Sequence, residues 1–192
     1  MIKRLFIVLS MLLLLAAGFA ALQLSMPGWY ARWWYPLNHA AEIRQEAGRN
    51  HLDPYLVAAV IYQESRFKEG TTSASGAVGL MQLMPATAAW VAAKTGEPPP
   101  SAADLKQPDV NIRFGCWYLS YLLGRYGGSE ALALAAYNGG ADNVDKWVAA
   151  ARASGRPFDS VTDIPYQETR EYVENVDKVK DIYRRAYADE LQ

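Results

Sequence analysis

Cysteine is almost absent from this chain. Cys116 is the only one, so no internal disulfide can form, and there is neither a Cys-x-x-Cys pair nor a Cys/His cluster with zinc spacing. With Tyr118 and Leu119 close by in a helical pattern, Cys116 reads as a small buried hydrophobe. An excess of one charge is lacking too: the net charge is −1, which gives no reason to expect a nucleic-acid partner. No stretch sustains the apolar/polar alternation of strands, and nothing repeats with a period of about 20–50 residues. What is present is the composition of a folded protein, 51% hydrophobic and 20% charged, with twelve Tyr and six Trp. At 192 residues there is room for one domain and an appendage.

The appendage is N-terminal. Lys3 and Arg4 precede Leu5–Leu24, 20 residues without a charge. About 20 apolar residues cross a bilayer as a helix, whereas the core of a secretory signal is about 7–15. Trp29, Tyr30, Trp33, Trp34 and Tyr35 follow, an aromatic cluster suited to the membrane–water interface. The basic residues before the span belong in the cytoplasm, which puts the remainder on the extracytoplasmic side of the cytoplasmic membrane. This favours a retained single-pass anchor; secretion after cleavage behind Gly18-Phe19-Ala20 is the alternative. A lipid anchor on this segment is excluded, because it holds no cysteine. The expected organisation is an anchor or signal over 1–27, a juxtamembrane linker over 28–37 and one mostly α domain over 38–192.

Helix signals fill that domain. A polar helix is expected over about Leu37–Arg49, followed by one capped by Asp53 with Pro54 at its first position. Glu69–Gly79 is a loop by composition, and Pro85–Thr95 is helical. Gly96–Ser101 cannot continue a helix, and Ser101 or Asp104 caps a short turn. The spacing of Val110, Phe114, Trp117, Tyr118, Tyr121 and Leu122 predicts a helix over about Asp109–Arg125. Ser129 caps a helix that stops at Gly139-Gly140, and another runs over about Ala141–Ala153. Pro165 opens a long amphipathic helix with Thr169, Tyr172, Val173, Val176, Val179, Tyr183 and Ala186 on one face.

Glu64 stands out within this pattern. Val57, Val60, Ile61 and Glu64 recur at intervals of 3 and 4, so a carboxyl continues an apolar stripe. A carboxyl held against apolar surface has its charged form disfavoured; its pKa rises, and it can donate a proton near neutral pH. That is the acid a glycosidic bond needs.

Three further segments do not reduce to packing. In Gly76-Ala77-Val78-Gly79-Leu80-Met81-Gln82-Leu83-Met84-Pro85, two glycines bring backbone close to whatever sits opposite, and Gln82 offers an amide to hydroxyl or acetamido groups. Ala136-Tyr137-Asn138-Gly139-Gly140 ends a helix in an aromatic and an amide. Ile164–Val173 contains Glu168-Thr169-Arg170-Glu171-Tyr172. Together with Gln63-Glu64-Ser65, in this order and with Gln82 eighteen residues after Glu64, these segments resemble the family 1, soluble-type lytic transglycosylases of bacterial peptidoglycan. The resemblance covers about Leu52–Ala186. Gly140 departs from the Ala usual there, which leaves the site untouched.

The resemblance implies an all-α, lysozyme-like fold with a groove for a glycan of alternating N-acetylglucosamine and N-acetylmuramic acid, and it implies a role for each matching residue. Glu64 matches the catalytic acid/base. Ser73 matches a loop hydroxyl near the muramic N-acetyl group. Met81, Gln82 and Met84 match one groove wall. Tyr137 and Asn138 match residues that position the sugar beside the scissile bond. Glu168 and Tyr172 match the other wall, with Tyr172 placed to orient Glu64. Hydrolysis of a glycoside uses two carboxylates, but only Glu64 reads as catalytic here, and nothing marks Glu69 on the next loop as its partner. That suits the implied reaction, in which Glu64 serves as acid and then base, the C6 hydroxyl of the muramic ring attacks, and neither metal nor organic cofactor is needed. A hydrolytic muramidase of goose-lysozyme type and a non-catalytic, membrane-tethered peptidoglycan-binding protein are the alternatives.

Overall fold

The computed structural model describes Met11, Leu14, Gly18 and residues 28–192. Apart from those three residues, the expected Leu5–Leu24 span lies outside the described part. Among the described residues no helix is long and apolar enough to cross a membrane. Residues 28–192 form nine α-helices and one 3-10 turn, and the only β pairing among them is isolated bridges from Val78 to Thr72 and Leu83.

Helix α1 (Gly28–Trp34) falls within the segment read from sequence as a linker, and it is docked on the domain through Ala31. Helix α2 (Ala40–Arg49) starts three residues later than expected. His39 takes a left-handed conformation and its ring contacts Glu69 at 2.8 Å, which turns the chain before the helix can begin.

Helix α3 (Pro54–Ser65) is the centre of the molecule. The Asp53 carboxylate accepts from the Tyr55 N–H at 2.9 Å, and Pro54 fills a position whose N–H would have had no partner. Every residue from Tyr55 to Tyr62 is buried, so this helix is apolar all round and wrapped by others. Burying each Leu, Val or Ile here contributes about 1.5–3 kcal/mol. The helix ends where Arg66 and Phe67 both take positive φ, a turn that leaves Glu64 and Ser65 on its last helical turn.

A second, smaller core lies beside helix α4 (Pro85–Thr95), under the 66–84 loop. It gathers Val78, Leu83, Ala88, Val91, Leu105 and Phe114, the last from helix α5 (Pro108–Arg125). Ahead of the turn Asp104–Lys106 that leads into α5, the Ser101 hydroxyl accepts from the Asp104 N–H at 3.1 Å and donates to the Asp104 carboxylate at 2.6 Å, while the residue at the cap position itself is Ala103. Buried Asn111 joins loop to helix: its Oδ1 accepts from the Met81 N–H at 2.7 Å, and its Nδ2 donates to the Val78 and Leu105 carbonyls at 2.8 and 2.9 Å. Gly79 makes this possible. It sits at φ +81°, and a Cβ there would lie 2.2 Å from Asn111 Nδ2 and 2.3 Å from the Leu105 carbonyl oxygen. The close approach expected at this glycine is therefore to the protein itself.

Helices α6 (Glu130–Gly139) and α7 (Ala141–Ala153) follow, with Ser129 capping α6 through the Leu132 N–H. Helix α8 (Gln167–Ala186) lies along α3 and buries the predicted Thr169–Ala186 stripe. It begins two residues after Pro165, where Tyr166 is still extended and the Arg170 guanidinium donates to the Ile164 carbonyl. The short helix α9 (Ala188–Leu191) closes against α2.

Candidate active site

The last turn of α3, the 73–84 loop, the end of α6 and the first turns of α8 enclose a cavity of about 500 Å³. Glu64 is on its wall, half-buried, one turn beyond buried Val60 and Ile61. Removal from water pushes its carboxyl from 4.5 up to about 7; the Tyr172 hydroxyl pulls it down, and the Glu168 charge pushes it up again.

Two phenols flank this carboxyl. Tyr172 is buried on α8, and burial followed by the Glu64 charge pushes its pKa well above 10, so it stays a neutral donor. Its hydroxyl is close enough to act on Glu64, yet it has no hydrogen-bond partner of ordinary geometry. Lining the cavity beside Glu64, the phenol is placed to donate to it once it is charged. Tyr137, held high by the same two causes, donates its hydroxyl to the Met81 carbonyl at 2.8 Å and ties α6 to the loop.

Asn138 is fixed on the same rim: its Oδ1 accepts from Thr169 Oγ1 at 2.8 Å, and its NH2 group is left for the cavity. On the opposite wall, Ser73 bonds the Ser75 hydroxyl at 2.9 Å and accepts from the Ala77 N–H at 3.0 Å. Met84 lies there too, 41% exposed. Gln82 has φ +45°, and its Nε2 donates to the Gly79 and Thr71 carbonyls at 2.7 and 3.3 Å. Its amide nitrogen therefore braces the loop, and only the carbonyl oxygen remains to accept from a ligand.

Of the nine residues singled out from the sequence, eight line the cavity: Glu64, Ser73, Gln82, Met84, Tyr137, Asn138, Glu168 and Tyr172. Met81 does not. Its side chain is fully buried against Gly115, where a Cβ would fall 2.3 Å from the Met81 sulfur, so only its backbone serves the site. Glu64 is not the sole carboxyl in the cavity. Glu168 and Glu171 both line the cavity, on the exposed side of α8. Glu69 instead contacts His39 and takes no part. The cavity is also lined by Gln63, which stood in a motif segment without an assigned role, by Glu171, which did likewise, and by Asn175. The last two lie three and seven positions after Glu168, so helical periodicity carried the signal. Among the described residues no three His, Cys, Asp or Glu side chains converge as a metal site.

Residues 41–157 match the model of the transglycosylase SLT domain. The chain is 32% identical over 158 residues to the soluble lytic murein transglycosylase of Escherichia coli K12, which covers 81% of this chain and 24% of that protein. Among solved structures, the 70 kDa soluble lytic transglycosylase of Escherichia coli matches with a TM-score of 0.76 and 31% identity, over 84% of this chain and 26% of that one. An inactive Glu-to-Gln mutant of the lytic transglycosylase Slt from Pseudomonas aeruginosa matches with a TM-score of 0.70 and 37% identity, over 79% and 24%. This chain thus spans about a quarter of the length of these relatives, and it shares the lysozyme-like helical fold of their matching part. Matched over more than half its length, the chain belongs to the transglycosylase SLT domain family.

Proposed function

We propose that this chain is a peptidoglycan lytic transglycosylase, tethered to the cytoplasmic membrane by its N-terminal segment, that cleaves the β-1,4 bond between N-acetylmuramic acid and N-acetylglucosamine with Glu64 as its acid and base. The observation that carries the reading is a carboxyl raised to about 7 on a groove wall, with two neutral phenols beside it. A group with that pKa is protonated often enough near neutrality to donate, and basic enough afterwards to take a proton back. In the first half of the reaction Glu64 protonates the leaving glycosidic oxygen as the bond to the muramic C1 breaks. In the second half the Glu64 carboxylate accepts the proton of the C6 hydroxyl on the same ring, whose oxygen bonds to C1. The product is a 1,6-anhydromuramic end, and Glu64 is again protonated. The hydroxyl is tethered to the carbon it attacks, which gives it a large effective concentration over water. Tyr172, whose hydroxyl favours the carboxylate, stabilises the charged Glu64 between the two halves. Tyr137 and Asn138 hold the sugar, and the Gln82 carbonyl and Ser73 face it from the loop.

One observation favours a second reading. Glu168 and Glu171 share the cavity with Glu64, and a second carboxylate able to activate water would make the enzyme a hydrolytic muramidase. Mass spectrometry of digested peptidoglycan separates the two. The proposal expects anhydromuropeptides from the native chain and none from Glu64→Gln. Reducing-end muramic acid as the sole product would establish the hydrolase instead, and binding without turnover would leave a tethered binding protein.

A further inference from the structure

Helix α1 turns a row of indoles away from the domain. Trp29 and Trp33, one turn apart, are 68% and 81% exposed, and Trp34 beside them is 56% exposed. Ala31, on the side of the same helix opposite Trp29 and Trp33, is buried, and Trp34 lies at the edge between the two sides.

This exposure is not that of a loose tail, because the segment is bound to the domain at three consecutive carbonyls. The Tyr62 hydroxyl donates to the Trp34 carbonyl at 3.2 Å, Tyr187 to that of Tyr35 at 2.8 Å, and Tyr183 to that of Pro36 at 2.8 Å. Arg32 adds an ion pair with Glu190 at 2.5 Å, and its guanidinium lies 4.6 Å from the centre of the Tyr187 ring. Three tyrosines and an arginine thus hold α1 in one orientation, with large amphipathic side chains facing out. Four residues before Gly28, the apolar run Leu5–Leu24 ends. Whatever covers the indoles must lie where that run leads, and a run of that length fits a bilayer. An indole, apolar in body with one N–H to keep wet, suits the boundary between headgroups and acyl chains.

We propose that the Trp29/Trp33/Trp34 face of α1 lies in the interface of the phospholipid bilayer, so that the catalytic domain is fixed against the membrane instead of swinging on a linker. The inference rests on the membrane-anchored reading above. It has a geometric consequence. Tyr183, which holds α1, and Tyr172 and Asn175, which line the cavity, are on the same helix α8, and Tyr187 follows directly at its C-terminal end. From Tyr172 to Tyr183 that helix rises by about 16 Å at about 1.5 Å per residue. Helix α8 therefore acts as a spacer that holds the groove at a set distance from the lipid-facing helix and restricts cutting to glycan close to the membrane.

The test uses the full chain reconstituted into phosphatidylcholine–phosphatidylglycerol vesicles carrying lipids brominated either near the headgroup or near the bilayer centre. Tryptophan emission and flotation on a density gradient are read from the same samples. The native chain is expected to float and to lose roughly half of its emission to the shallow quencher, since three of its six tryptophans belong to α1. The quencher at the bilayer centre should act less. The variant Trp29→Ser/Trp33→Ser/Trp34→Ser changes only exposed positions; it is expected to float equally and to lose the shallow quenching. Flotation without shallow quenching of the native chain overturns the inference and leaves the anchor standing. Failure to float overturns the anchor, and the inference with it. Indole emission that shifts to the blue as protein concentration rises, without quenching by lipid, shows a second copy of the chain as the occupant and overturns the bilayer.

Discussion

Replacing Glu64 by Gln should abolish turnover and at the same time make the protein more stable above neutral pH. The reason is the cause of its raised pKa. Burial disfavours the carboxylate, so the folded chain holds the proton up to about 7, whereas an ordinary carboxyl releases it near 4.5. Between those values the folded state binds more protons than the unfolded state, so stability falls as pH rises through the interval. At about 1.4 kcal/mol per pH unit the interval amounts to about 3 kcal/mol. That contribution is fully present below pH 4.5 and lost above about 7. Gln has the same shape and no charge to bury, so the variant lacks this decline. Urea denaturation of both proteins should give similar stabilities at pH 4.5 and a gap of about 3 kcal/mol in favour of Gln at about pH 8, or about 6–12 °C in melting temperature. All other titrating groups are common to both chains and cancel in the difference. Curves that stay parallel across this pH range would refute the claim that Glu64 carries a buried, penalised charge.

Other substitutions follow from the same geometry. Glu168→Gln removes the negative charge that helps raise Glu64, so the alkaline limb of the pH–rate profile should move to lower pH while the products stay the same; complete loss of activity would make Glu168 the base of a hydrolase. Tyr172→Phe removes the hydroxyl that pulls Glu64 down, so the same limb should move to higher pH. Asn111→Ala leaves the Met81 N–H and the Leu105 carbonyl unpaired, while the Val78 carbonyl keeps its bond from the Leu83 N–H, and denaturation should show a loss of about 2–6 kcal/mol although Asn111 lies outside the cavity. Gly79→Ala puts a methyl group into Asn111 at a positive φ and should destabilise by a similar amount, with soluble yield the first readout to fall.

Wherever a boundary has a chemical marker, the sequence carries it. Asp53-Pro54, Pro85, Ser129, Gly139-Gly140 and Ala153 begin or end helices within a residue of where periodicity and capping place them. Glu64 was visible because a carboxyl on an apolar stripe is rare enough to need a reason. The residues that misled are those whose neighbours are distant in the chain. Met81 stands in a segment that lines the groove, but its side chain turns inward because Gly115, from α5, leaves room for its sulfur. Asn111 looked like an ordinary helical position, and two of its three bonds reach back 30 residues or more, to Met81 and Val78. The tryptophans near residue 30 signalled an interface, but nothing local foretold that Tyr62 of α3, Tyr183 of α8 and Tyr187 just beyond it would hold their helix to the domain.

Digestion of peptidoglycan in water enriched in oxygen-18 tests the central claim most directly. Attack by the muramic C6 hydroxyl draws no atom from solvent, so products released by the native chain should carry no label at C1 from the first turnover onward. Incorporation of one oxygen-18 per cleaved bond would show that water is the nucleophile and would contradict the single acid/base account of Glu64.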